Sequence, residues 1–521
     1  MSSQSSFVRK IIYLVLIAVL LMPLFWLSQP ATSAGKGEQG SPGGKLAQLR
    51  EQYKLSESQI GEIDPASVSM KLATLGMRGI AANVLWTKAY DYKMRKEWTK
   101  LMATLRQITK IQPHFINIWS SSVAWNVSYN VSVEFDDYRQ RYRWVMKGID
   151  FLKEGIKYNQ NQPRLLWDMG WTISEKIGKA DESKEFRKLF KADDDFQGSR
   201  PMALRDNWLV GKEWFAKAVK MVDAGASMLG KGPLIFRSNG PMCQMYFAEY
   251  LEKDGTFGEV AKRAWVDAGN DWKQYGNEEI PTSWTDDTTQ EPIVIRLNDQ
   301  EMREKTAKEL VAKLDAIEPG LRQKMVEERR AALSPAQRKA FDTPPAKRTA
   351  KEAELAMQAQ MSLDVTHNEV ARRIKGPRHD EAIKLAKDAA KNEQLANYIN
   401  RYREIVNFVY WRLRAAVEQT DEMIEARRLI YQGDRAYAEG DLVASRDAYQ
   451  KGLVGWRKVL DKEPSLIPDS TAGDDLYNVI KRYRRILAQL DEPFPKPFIL
   501  QDVIDFHDKH DPLATGQPPA K

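Results

Sequence analysis

Apolar positions run without a charge from Ile11 to Leu27, directly after Arg9 and Lys10, and no comparable run recurs in the chain. A run of this length sits at the lower end of the roughly 17–25 residues that a membrane-spanning helix needs. It exceeds the apolar core of about 7–15 residues found in cleaved secretory signals. The segment 11–27 therefore reads as a retained transmembrane anchor. The basic pair holds residues 1–10 in the cytoplasm, which places the body on the extracytoplasmic, periplasmic side of a single-pass membrane protein. Cleavage near Ala31-Thr32-Ser33-Ala34 is the alternative reading as a signal peptide, and it leaves the body on the same side.

Behind the anchor, residues 28–65 form a linker, Ser-, Gly-, Pro- and Ala-rich up to about Gly44, with one short polar helix at Lys45–Tyr53. Helical spacing of Leu72, Leu75, Ile80, Val84 and Trp86 predicts a helix over Val68–Arg95. Further helices are predicted at Trp208–Ala226, Pro241–Leu251 and Phe257–Tyr275, with a Gly-rich loop at Leu229–Asn239 and a short strand at Pro292–Leu297. Residues 66–290 thus read as a Trp-rich helical repeat domain.

From 291 to 375 the composition shifts to Lys, Arg, Glu and Ala, and Glu301–Leu333 and Lys347–Lys375 read as a charged arm of long helices. Leu310, Leu314, Ile317 and Leu321 share one face. Ser334-Pro335 restarts a helix, since Ser caps and Pro fits a first turn, and Thr343-Pro344-Pro345 stops one. Helix pairs return over 376–491, within Asp380–Ala416 and Asp421–Leu460, with a closing helix at Asp474–Leu490. A proline-rich tail, 492–521, carries one piece able to dock, Phe498–Phe506. The fold class is all-α.

Composition narrows the function classes. Basic residues (79) nearly balance acidic ones (71), and the signs are interspersed along helices. That pattern argues against a nucleic-acid stripe. Cys243 is the only cysteine, so no internal disulfide or Cys-based metal cluster can form, and stability must come from packing. Seven of the 15 tryptophans fall between Leu85 and Trp171.

A tetratricopeptide (TPR) unit pairs two helices over about 34 residues, with small residues where they cross. Leu429 to Leu453 resembles that pattern: Gly433 at the first crossing, Tyr437 before the turn, Gly440-Asp441 as the turn, Ser445 and Gly452 at small positions, and Tyr449 at the aromatic one. The second helix runs on through Trp456 and Leu460 to Pro464. A looser copy spans Leu85 to Pro113. There Ala89, Tyr92 and Pro113 match, Leu101 and Ile108 replace small residues, and Arg95-Lys96 replaces Gly-Asp. A third pair, Ile116–Pro163, carries an insertion at Glu134–Arg143. The phrases Ala124-Trp125-Asn126-Val127-Ser128-Tyr129-Asn130-Val131-Ser132-Val133-Glu134, Leu166-Trp167-Asp168-Met169-Gly170-Trp171, Arg205-Asp206-Asn207-Trp208 and Thr420-Asp421 make the chain similar to a family of bacterial, membrane-anchored, TPR-like proteins. The resemblance implies an α-solenoid and, by the general behaviour of such proteins, a scaffold for protein or peptide partners in the cell envelope. It implies no catalysis, cofactor, metal or nucleic acid.

Candidate residues divide accordingly. Trp86, Tyr92, Trp119, Trp125, Tyr129, Trp167, Trp171, Gly433, Tyr437, Gly440, Asp441, Tyr449 and Gly452 are expected to pack repeats or bind a partner. A rival reading makes Glu134 and Asp137 the acid and the nucleophile or base of a glycan hydrolase, with Trp119, Trp125 and Trp144 as sugar platforms. A third reading is a structural spacer of the envelope. Asn126 and Asn130 match a glycosylation pattern but read as buried amides. Asp505, His507, Asp508, His510 and Asp511 have a composition able to coordinate a metal but no outer shell to orient them. Cys243 reads as a buried small residue.

Overall fold

The computed structural model describes residues 43–52, 78–120, 126–228, 230–286, 289–469 and 471–510, with scattered positions between 12 and 27. Most of the expected anchor and linker lies outside these. Among the described residues no helix is long and apolar enough to cross a membrane. The described chain is all-α apart from one two-stranded hairpin. It forms two compact units, Met1–Gly232 and Pro233–Lys521, so the first division falls well before the expected boundary at 290.

The first unit holds α1 (Lys45–Gln52), α2 (Arg78–Met94), α3 (Trp98–Ile111), α4 (Tyr138–Tyr158), α5 (Pro163–Trp171), α6 (Ser183–Ala192) and α7 (Asn207–Asp223). Pro163 occupies the first turn of α5, and Asp137 caps α4 by accepting the Arg139 amide. π turns at Asn126–Val131 and at Thr172–Lys176, the second continuing α5, depart from α geometry. Widening a helix leaves carbonyls without their usual donors, and side chains supply replacements. Thr172 Oγ1 donates to Asp168 O at 2.9 Å, Ser174 Oγ to Gly170 O at 2.8 Å, and Asn207 Nδ2 to Ser174 O at 3.2 Å. The core is built on Leu101, Leu105, Ile108, Trp119, Val145, Ile149, Phe151 and Leu152.

The second unit begins with α8 (Pro233–Lys253), which starts eight residues before the expected Pro241 and continues through that proline. The Ser238 hydroxyl and Asn239 amide both donate to Ile235 O in the turn before it. α9 (Glu259–Asn277) follows. The expected single strand is instead a hairpin of β1 (Ile280–Thr285) and β2 (Pro292–Ile295), antiparallel with Ile280 opposite Ile295. The Trp284 ring lies 3.9 Å from Tyr398, nearly parallel to it.

The charged stretch is five modest helices: α10 (Gln300–Asp315), α11 (Leu321–Ala332), α12 (Pro335–Asp342), α13 (Ala350–Leu363) and α14 (His367–Arg373). Pro319-Gly320, with Gly320 at φ 84°, ends the predicted long helix early. Reciprocal capping boxes at Ser334/Gln337, Thr349/Glu352 and Thr366/Glu369 start α12, α13 and α14. The rest is α15 (His379–Ile405), α16 (Phe408–Glu418), α17 (Asp421–Ala438), α18 (Leu442–Lys462), α19 (Ala472–Gln489) and α20 (Gln501–His510). Within the tail α20 docks, because Phe498, Leu500, Val503 and Ile504 enter the core of α17–α19.

Candidate functional site

The α17–α18 hairpin is built on glycine. A methyl group on Gly433 would meet the Tyr449 ring at 3.2 Å, one on Gly452 would meet Ile430 at 2.7 Å, and one on Gly455 would meet Ala426 at 2.9 Å. The backbones approach this closely because no Cβ intervenes. Buried Ser445 donates its hydroxyl to Gly433 O at 2.8 Å. Gly440 takes φ 84°, the Asp441 amide closes a 2.9 Å bond to Ala436 O, and the Asp441 carboxylate caps α18 at the Ala444 amide. Tyr449 is buried, with its hydroxyl bonded to Asp434, while Tyr437 stands 41% exposed. One face of α18 is open. Val443 and Val454, 51% and 44% exposed, flank Asp447, Gln450 and Lys451 at helical spacing, and Val454 joins these three in a shallow surface depression.

Beside this hairpin lies a feature that periodicity alone did not reveal. Glu249 and Glu252 from α8, Arg414 and Glu418 from α16, Arg427 from α17 and Asp475 from α19 form a largely buried charge network. Arg414 donates to Glu249 at 3.0 Å and lies 3.7 Å from Glu418, while Arg427 binds Glu418 at 2.5 Å. The guanidiniums sit over aromatic faces, Arg414 5.7 Å from the Trp265 ring and Arg427 5.0 Å from Trp456. Burial, reinforced by the Glu418 charge, drives Glu252 up to about 8, and Trp265 Nε1 donates to it at 3.1 Å. Glu252 therefore holds a proton at neutral pH. Burial also opposes ionisation of Glu249, yet Arg414 and Lys253 outweigh it and hold that carboxyl below its ordinary range. The network ties together helices far apart in sequence. A signal for it was present: Arg414 and Glu418 fall on the apolar phase of α16 among Phe408, Ala415 and Val417.

In the first unit the aromatic candidates interlock. Trp119 is 1% exposed, donates to Pro113 O at 2.7 Å and packs on Phe151 with ring centres 4.6 Å apart. Trp144 stacks on Phe135, and Trp171 on Tyr129 at 5.4 Å. Trp86 and Tyr92 are half-buried at the edge of this core. Trp167 is buried, with the Lys231 amine 3.4 Å from its ring centre. That amine also lies 3.7 Å from Asp168, a carboxyl raised by burial and opposed by Lys231 and Arg164. Trp125 lies outside the described residues.

The proposed acid pair is occupied structurally. Glu134 is exposed and bound by Lys96 at 2.6 Å, while Asp137 caps α4. Of the phrases singled out in the sequence, three lie at or beside the π turns, while Thr420-Asp421 starts α17. Asn126 and Asn130 fall in the first, Gly170 precedes the second, and Asp206 caps α7 so that Asn207 reaches the second turn's carbonyls. In the tail, His507 bonds Ile467 O at 3.0 Å and pairs with Asp474, and Asp508 accepts from the Tyr477 hydroxyl. Asp511 lies outside the described residues, and no group able to hold a metal ion occurs among those described. Cys243 is buried, 3% exposed. No protein-family model matches the chain, and a search of curated proteins returns no match.

Proposed function

We propose that this protein is a membrane-anchored, TPR-like scaffold of the bacterial cell envelope, whose α-solenoid body binds a protein or peptide partner and carries out no catalysis. The observation that carries this reading is the α17–α18 hairpin, with its glycine and serine crossing and its Gly440-Asp441 turn. Such units serve to present helical faces to partners. The open face of α18 suits an extended or helical segment with an apolar strip. Val443 and Val454 supply apolar contact, and Asp447 and Lys451 set its direction by charge.

Crosslinking in native membranes followed by purification tests the reading. A discrete envelope partner should be recovered with the natural protein and lost with Val443→Glu/Val454→Glu, at unchanged melting temperature. Recovery of nothing, or of the same partner with the double variant, overturns it. The anchor is tested separately: carbonate-resistant membrane association with an intact N-terminus supports it, and a mature protein beginning after Ala34 refutes it.

A further inference from the structure

The second unit contains a half-open cleft of about 260 Å³ between β2, α10 and α15, remote in sequence from the α17–α18 hairpin. Its exposed lining is mainly polar; Ile295 and Ile399 are buried beneath it, Leu395 is half-buried, and Val294 stands half-exposed on its wall. Its walls carry two guanidiniums, Arg296 and Arg303, and two carboxylates, Glu279 and Asp299. The fixed charges therefore cancel. A simple anion would face two carboxylates and a simple cation two guanidiniums, whereas a small zwitterion finds a partner for each end.

Two of the four charges are already engaged, since Arg296 donates to Glu279 at 2.6 Å. The other two are not. Arg303 hydrogen-bonds the neutral Asn392 at 3.1 Å, and among the described residues neither Arg303 nor Asp299 forms an ion pair. Asp299 stands at the N-cap of α10 without bonding that helix's amides, and Arg303 follows four residues later on the same face. Holding Arg303 toward Asn392 keeps the two opposite charges apart within one cleft. The volume lies just below the roughly 300–1,000 Å³ of sites for drug-sized ligands, which suits a smaller molecule.

We infer that this cleft binds a free α-amino acid, for which L-leucine serves as the probe. Its carboxylate pairs with Arg303, its ammonium with Asp299, and its side chain lies against Val294 and Leu395. Isothermal titration of the full-length protein with L-leucine, N-acetyl-leucine, leucinamide and inorganic phosphate tests this. Leucine should bind saturably, each blocked form at least about tenfold more weakly, a difference of about 1.4 kcal/mol, and phosphate should not compete. Asp299→Asn and Arg303→Gln should each weaken leucine at least about tenfold. Val294→Trp, at a half-exposed position on the cleft wall, should abolish binding, and it keeps the test valid if Arg303→Gln fails to fold. The inference is overturned by the absence of saturable leucine binding, by equal affinity for the blocked forms, by phosphate competition, or by binding indifferent to Asp299→Asn and Val294→Trp.

Discussion

The α2–α3 and α17–α18 hairpins make the same turn with different residues. In each, the second residue beyond the helix end adopts a left-handed conformation and the next amide bonds back five residues, Glu97 to Tyr92 O and Asp441 to Ala436 O, both at 2.9 Å. In the later hairpin Gly440 takes this conformation without a Cβ penalty, and Asp441 then caps α18. In the earlier one Lys96 takes it at φ 57°, and Glu97 makes no side-chain cap. The true counterpart of Gly-Asp is thus Lys96-Glu97, one residue later than the pattern suggested. The crossings differ as well. Leu101 and Ile108 are buried in the first hairpin, while Gly433 and Gly452 admit close approach in the second. A turn geometry can therefore persist while its residues change, provided the surrounding core fixes the helices.

The comparison breaks most sharply at the charge network beside the later hairpin, which has no counterpart around the first among the described residues. Arg414→Met removes the buried guanidinium shared by Glu249 and Glu418, leaving Lys253 on the one and Arg427 on the other, and should cost about 3 kcal/mol in denaturant unfolding, the lower end for a broken buried pair. Leu101→Ala should cost about 2–5 kcal/mol, because the first crossing is filled by bulk. Gly452→Val tests the opposite case. Overpacking against Ile430 and the Ala426 carbonyl should cost about 1–3 kcal/mol, and a neutral result would mean that the glycine crossing is not tight.

The network also predicts a pH dependence. The folded state keeps the Glu252 proton up to about pH 8, whereas the unfolded chain releases it near its ordinary 4.5. Between those values the native state binds more protons, so this group's contribution to stability falls as pH rises, by at most about 1.4 kcal/mol per pH unit. Glu252→Gln should flatten that slope in melting temperatures measured from pH 5 to 8. The smallest effect belongs to the turn. Lys96→Gly should gain about 1 kcal/mol by relieving the left-handed lysine, less the loss of the exposed pair with Glu134. Gly440→Ala should lose a similar amount.

Local rules account for much of what the sequence by itself determined: the all-helical class, the Ser334-Pro335 restart, the glycine-lined second hairpin and the docked Phe498–Phe506 segment. Each depends on periodicity, caps or turn residues acting within a few positions of one another. The break at Pro319-Gly320 was legible by the same rule and was passed over. Only the tertiary structure decided where charges meet. Glu252 reaches Glu418 and Arg427, and Asp299 and Arg303 join Leu395 in one cleft, because helices distant in the chain pack together. A helix period shows which face a residue occupies and carries no information about which other face it will meet. Burial and pairing of charge are properties of that meeting.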